Sequence, residues 1–159
     1  MKLLKVLNNY YGISSCSVLW RRDVFNNLRF NEYLKYAEEW ELFAKIISIK
    51  EYHGAFIDNI LYFNKKHSKS NTGRYFSQDL EMINSHYESI KSVAKHLKLN
   101  CQLNWGIKYF LLNYAFNLNN RKLMDELIEI ISSNSIEIFF WNLYKLTIPI
   151  KVKLKRQIT

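Results

Sequence analysis

Ile13-Ser14-Ser15-Cys16-Ser17-Val18-Leu19 is the stretch on which the fold class turns. Its apolar and small polar residues partly alternate, which predicts a short strand running into a small-residue turn. Outward from it, Trp20-Arg21-Arg22-Asp23-Val24-Phe25 predicts the start of a short helix that Asn26-Asn27 ends. Further on, Trp40, Phe43, Ile46 and Ile47 fall at i, i+3, i+6 and i+7, one face of a helix over Glu38–Ile49. The first turn of that helix carries Glu38, Glu39 and Glu41. Carboxylates there meet the positive end of the helix dipole, which stabilises their ionised form by about 0.3–1 kcal/mol. A general base gains from this, and so does a plain helix N-terminus.

Ala55-Phe56-Ile57 and Ile60-Leu61-Tyr62-Phe63 are β-prone segments around Asp58-Asn59, so strand, turn and strand are predicted. Residues 65–73, rich in Lys, Ser and Asn, read as a loop. From residue 77 to about 99 a polar helix is predicted, with Leu80, Ile83, Tyr87, Ile90 and Ala94 on one side. The last third is helical by pattern, over 103–118, 122–131 and 135–146 up to Pro149. The predicted fold is α/β, a mixture of short strands and helices to about residue 75, followed by a mostly α-helical C-terminal extension. Two regions result, residues 1–98 and residues 99–159.

The 159 residues are 48% hydrophobic, enough for one core, and an aromatic content of 16% with one Pro and four Gly argues against a disordered chain. Cys16 and Cys101 lie far apart without metal-ligand spacing. A reduced cytoplasmic protein is the default reading, though spacing alone neither requires nor forbids a disulfide between them. His53, His86 and His96 show no ligand spacing, and no Gly-x-Ser-x-Gly elbow supports a serine hydrolase.

The formal net charge is +9, and its location matters more than its size. Lys145, Lys151, Lys153, Lys155 and Arg156 crowd the end, and no acid follows Glu137. They accompany Phe139, Phe140, Leu143, Leu146 and Ile150, a combination that predicts a surface for anionic lipid. No apolar run reaches the roughly 20 residues of a membrane span, and Met1-Lys2-Leu3-Leu4-Lys5 is interrupted too soon for a signal peptide. The expected location is cytoplasmic, peripheral at the inner face of the cell membrane. Nucleic acid is not expected as a partner, because the charges accompany a wide apolar face and no nucleic-acid motif occurs. The alternative is a non-catalytic membrane-peripheral or protein-interaction module, in the latter case with the apolar faces of residues 100–148 buried against a partner.

Five pieces in order carry a resemblance: Ser14, Ser15 and Ser17; Arg21-Arg22; Phe30-Asn31-Glu32; Glu38-Glu39-Trp40-Glu41-Leu42; and Asn64-Lys65-Lys66-His67. Over residues 13–75 the chain resembles the second, acceptor-side half of a bacterial family-2 glycosyltransferase of the GT-A fold, the type that builds surface polysaccharides. The resemblance implies inverting transfer from a nucleotide-sugar donor to a saccharide or lipid-linked acceptor. It places Glu39 where the family keeps its general base and Glu38 where it keeps the preceding acid. Trp40 would pack beneath the acceptor sugar or support the helix, and Arg21, Arg22 and Lys65 would contact substrate. His67 would touch diphosphate or a divalent metal, Mg or Mn. Leu28-Arg29 stand where the family has Gly-Gly, Asn31 where it has Asp, and Glu39 in place of a shorter Asp. The family's first hundred or so residues, with the nucleotide-binding βα units and Asp-x-Asp motif, have no counterpart in this sequence. The isolated chain is therefore expected to transfer sugar poorly.

Overall fold

The computed structural model describes residues 2–25, 28–49, 53–55, 57, 59, 60, 62, 63, 65 and 67–158, the side chains of 149–158 excepted. Among the described residues the regular structure is helical and no strand occurs. The α-helices are α1 (Leu3–Leu7), α2 (Glu38–Ile49), α3 (Asn71–Phe76), α4 (Leu80–Leu99), α5 (Trp105–Asn117), α6 (Arg121–Ile131) and α7 (Ser135–Ile158), with 3-10 turns at Ser15–Ser17 and Arg22–Phe25. The chain forms two compact units, Met1–Gln102 and Leu103–Thr159.

The α/β expectation is thereby corrected. Ser14 (φ −128°, ψ 162°) and Val18 (φ −134°, ψ 130°) do have strand dihedrals, but Ser15–Ser17 between them close a 3-10 turn. Extended dihedrals become a strand only when a neighbouring backbone supplies a ladder, and no described segment does so. The segments flanking Asp58-Asn59 are likewise not strands at their described positions, while Phe56, Asp58 and Leu61 lie outside the described residues. So do Asn26-Asn27, expected to end the short helix, and Asn64 and Lys66 of the fifth motif piece.

In the first unit α2 packs between α1 and α4, and α3 packs on α4. Val6, Val24, Leu42, Phe43, Ile46 and Ile47 form one buried cluster, with Ile13, Trp20 and Leu28 partly buried against it. Asp79 starts α4 by accepting from the Glu81 N–H at 2.9 Å, satisfying one of the free donors of the first turn. The buried side of α4 keeps Ile90 and Ala94 of the predicted apolar row but departs from the start of that row. Leu80 is exposed, whereas Met82, Ser85, His86, Ser89, Ile90, Val93 and Leu97 are buried. The polar members are tolerated because each has a partner. Ser85 Oγ accepts from the Lys35 and Tyr36 N–H groups at 2.8 and 2.9 Å and donates to the Tyr36 carbonyl at 3.0 Å. This one hydroxyl latches the segment that leads into α2.

Glu41 is fully buried. Its Oε1 pairs with the Lys45 ammonium one turn on and accepts from Ser92 Oγ of α4 at 2.6 Å. Its second oxygen has no hydrogen-bond partner. Next along the same interface, His96 Nε2 lies 3.1 Å from Ser48 Oγ.

His86 packs edge-on against the stacked rings of Tyr36 and Tyr75, its Nδ1 2.9 Å from the Tyr75 hydroxyl. Burial pushes its imidazole down to about 4. The unfolded chain takes up the proton near pH 6.5, so between about 6.5 and 4 it binds more protons than the native state. Stability from this group is complete above about 6.5 and is lost as pH falls toward 4, by about 3 kcal/mol in all. Urea denaturation followed by circular dichroism should show a lower midpoint at pH 4.5 than at pH 7. His86→Gln should shrink that difference, and an equal difference in the variant would remove His86 as its source.

In the second unit α6 packs against both α5 and α7. The α6 face is legible in its spacing, with Leu123, Met124, Leu127, Ile128 and Ile131 all buried. Lys108 of α5 forms a nearly buried ion pair with Glu137 of α7, and Glu137 Oε2 accepts from the Ser133 N–H at 2.7 Å. Burial works against the Glu137 carboxylate, yet Lys108 and the Ser133 bond outweigh it and hold its pKa below the usual range. With Trp141 and Ile148 buried as well, these contacts fix which face of α7 points outward. No described helix is long and apolar enough to cross a membrane.

Candidate functional site

The serine-rich stretch folds back on itself. The Ser14 N–H donates to Ser17 Oγ at 3.1 Å and the Ser17 N–H to the Ser14 carbonyl at 3.0 Å. A turn closed in this way leaves the amide and hydroxyl of Ser15 free to face elsewhere. Both are taken by Glu39: the Ser15 N–H donates to Oε2 at 3.1 Å, and the Ser15 hydroxyl donates to Oε1. Residues 24 apart in sequence are thus clasped through one carboxylate.

Glu39 lies in the first turn of α2, and the chain enters that helix through Ala37 at φ 63°. The left-handed conformation costs a non-glycine residue about 1–2 kcal/mol. It is sustained here by the bond from the Glu41 N–H to the Ala37 carbonyl at 3.0 Å, by the Ser85 latch, and by Asn71 Nδ2 donating to the Lys35 carbonyl at 3.0 Å. Strain held by surrounding contacts immediately before an acidic helix start is a feature of functional sites.

Two neighbours complete the cluster. Cys16 follows Ser15 as a free, exposed thiol. The Tyr62 phenol has its pKa raised by its hydrogen bond to that thiol first, then by the thiol's charge, by partial desolvation and by the charge of Glu39. Glu39, Ser15, Cys16 and Tyr62 therefore share one surface region, open to solvent on the Cys16 side.

The other residues singled out by the resemblance are placed as follows. Glu38 acts on Tyr36 through its charge: burial first and that charge second raise the Tyr36 phenol. Trp40 is half-buried and its Nε1–H donates to the Leu7 carbonyl at 3.1 Å, which ties α2 to the end of α1. Arg21 is exposed and forks onto Asp23, with Nε and Nη2 at 3.2 and 3.1 Å from its carboxylate oxygens. Arg22, Lys65 and His67 are exposed. The His67 carbonyl accepts from Ser70 Oγ at 2.6 Å, and a methyl group on Gly73 would come 2.3 Å from that carbonyl oxygen, so the first turn of α3 closes over the His67 backbone. Among the described residues no three His, Cys, Asp or Glu side chains converge as a metal site would require.

A shallow groove of about 560 Å³ runs between the segment before α2 and the exposed side of α4. Asn31, Tyr33, Lys35, Asn84, Glu88 and Lys95 line it, with Ser92 reaching both the groove and buried Glu41. Amides, ammonium groups and carboxylates side by side present alternating donors and acceptors. Glu38 and Glu39 are not part of its lining. Sequence reasoning singled out Glu39 and the serines but not Tyr62, Cys16 or this groove. Tyr62 stands just before the fifth motif piece, which is the signal that points to it.

No protein-family model, curated protein or solved structure matches the chain.

Proposed function

We propose that the chain is the acceptor-side part of a family-2 glycosyltransferase of surface-polysaccharide assembly, cytoplasmic and peripheral at the inner face of the cell membrane. It would act with a nucleotide-sugar-binding part that these 159 residues do not supply. The observation that carries the reading is the meeting of the serine-rich stretch and the acidic helix start at Ser15 and Glu39. Two motif pieces separated in sequence come together around a carboxylate of defined orientation.

In the proposed reaction an acceptor hydroxyl oxygen attacks the anomeric carbon of the donor sugar as the bond from that carbon to the diphosphate oxygen breaks. The diphosphate leaves with the bonding electrons, the configuration inverts, and Glu39 takes the hydroxyl proton. Ser15 holds the carboxylate so that little reorientation is needed as the proton arrives. The polar groove suits a polyhydroxylated acceptor, and Lys65 is the exposed cation nearest in sequence to Tyr62 for the departing diphosphate. Trp40 supports the placement of α2, its indole N–H tying that helix to the Leu7 carbonyl.

A second reading has its own observation. Both oxygens of Glu39 already accept from Ser15, as they would if the residue only clasped the turn to α2 in a non-catalytic membrane or protein-binding module. The test is transfer of radiolabelled sugar from nucleotide donors to saccharide acceptors, with a donor-binding half supplied in trans. Transfer that rises on adding the chain supports the enzyme; no rise over the donor half alone leaves the module.

A further inference from the structure

We infer that the outward face of α7, centred on Phe139 and Leu143, inserts in the plane of an anionic lipid surface. The inference rests on the peripheral placement proposed above and is independent of the transfer chemistry. Ile136, Phe139, Phe140, Leu143 and Leu146 recur at 0, +3, +4, +7 and +10 along the helix, one continuous arc at about 100° per residue. Their exposures are 80, 71, 45, 53 and 68%. Single exposed apolar residues are ordinary, whereas a contiguous stripe of five large ones marks a surface that meets something. The opposite side of α7 is occupied, by the Lys108–Glu137 pair and by buried Trp141 and Ile148. That packing holds the stripe outward.

Charge selects the occupant. After Glu137 the sequence carries Lys145, Lys151, Lys153, Lys155 and Arg156 and no acid. Lys145 is engaged by Asp125 of α6, which leaves four cations in the sequence that continues the apolar stripe. A protein groove would use the stripe and waste the cations, and a nucleic acid would use the cations and waste the stripe. A bilayer of anionic lipid uses both, with acyl chains under the stripe and headgroup phosphates at its continuation. Trp105 of α5, 58% exposed and 5.2 Å from Phe140 centroid to centroid, adds an indole of the kind that favours the headgroup level. Since no described helix can cross a bilayer, α7 would lie along the surface.

The test is co-sedimentation of the full chain with vesicles of phosphatidylglycerol and phosphatidylcholine in equal amounts, and with phosphatidylcholine alone. Binding is expected on the anionic vesicles and to weaken with salt. Phe139→Ser/Leu143→Ser should weaken it about a hundredfold, and Lys151→Gln/Lys153→Gln about thirtyfold. Unchanged circular dichroism is the control, because the two apolar positions are exposed. Absence of wild-type binding would overturn the insertion face together with the peripheral placement. Wild-type binding that the Phe139/Leu143 variant retains in full overturns the face alone. Equal binding to neutral vesicles overturns the anionic lipid, and a chain dimer that the same variant dissolves, without vesicle binding, overturns lipid in favour of a second copy.

Discussion

Glu39→Gln is expected to lower sugar transfer by about 10²–10⁴-fold, measured with the donor-binding half present. The substitution keeps shape and one acceptor oxygen, so the Ser15 clasp survives in part. The amide nitrogen that replaces the other oxygen donates where Ser15 also donates. One hydrogen bond is therefore lost, with a stability cost of about 1 kcal/mol. That small cost separates the two readings of the residue. A clasp alone predicts a slightly lower melting temperature with unchanged transfer, whereas a base predicts transfer falling far more than stability explains. Retention of transfer within a few-fold of wild type would remove Glu39 as the base. Ser15→Ala provides the complementary measurement, since it loosens the carboxylate without removing it and should cost less transfer than Glu39→Gln.

Lys45→Met is expected to destabilise the first unit by about 3–5 kcal/mol, measured by urea denaturation. Glu41 is fully buried, and its paired oxygen has Lys45 and Ser92 as partners while its other oxygen has none. Removing the cation leaves a buried carboxylate with one hydroxyl. The interior then either carries an uncompensated charge or forces the group to take up a proton, and both cost stability. Removing the pair together is different. In Glu41→Met/Lys45→Met the desolvation of both charges disappears and the volume is filled by apolar atoms, so the double variant should fold about as stably as wild type. A single-variant loss below about 1 kcal/mol would show that the pair is not held as buried charges. The double variant should also leave the Ser15 clasp intact, because Glu39 is on a different contact.

The sequence was most informative where one periodicity decides the outcome. Glu38–Ile49 and Arg121–Ile131 are helices because their apolar residues recur at helical spacing and need only a neighbouring face to bury them. Residues 13–19 were misread as a strand because their local dihedral preference is real, while the ladder that makes a strand is a long-range event that alternation cannot report. The buried side of α4, legible at Ile90 and Ala94, was missed at its polar positions for a related reason. Ser85, His86 and Ser89 look like surface residues until their partners Tyr36, Tyr75 and the α4 backbone are known. At the candidate site Glu39 was legible as an acid at a helix start, but its contact with Ser15 was not. Trp40 was legible as an important aromatic, while its bond to the Leu7 carbonyl, which ties α2 to the end of α1, was not.

The Ser85 latch and the Ser92–Glu41 bond between α4 and α2 also set an order of events during synthesis. Ser92 follows Glu41 by 51 residues, so at about 5–20 residues per second a ribosome adds Glu41 some 3–10 s before its partner residue exists. For that interval Leu42, Ile46 and the Glu41 side chain have no α4 to cover them, and α1 and the Arg22–Phe25 turn are neighbours already made. The unit that presents Glu39 therefore closes its core only once α4 has been made. Its nascent form, with an apolar helix and an acid awaiting burial, is the species a chaperone would meet.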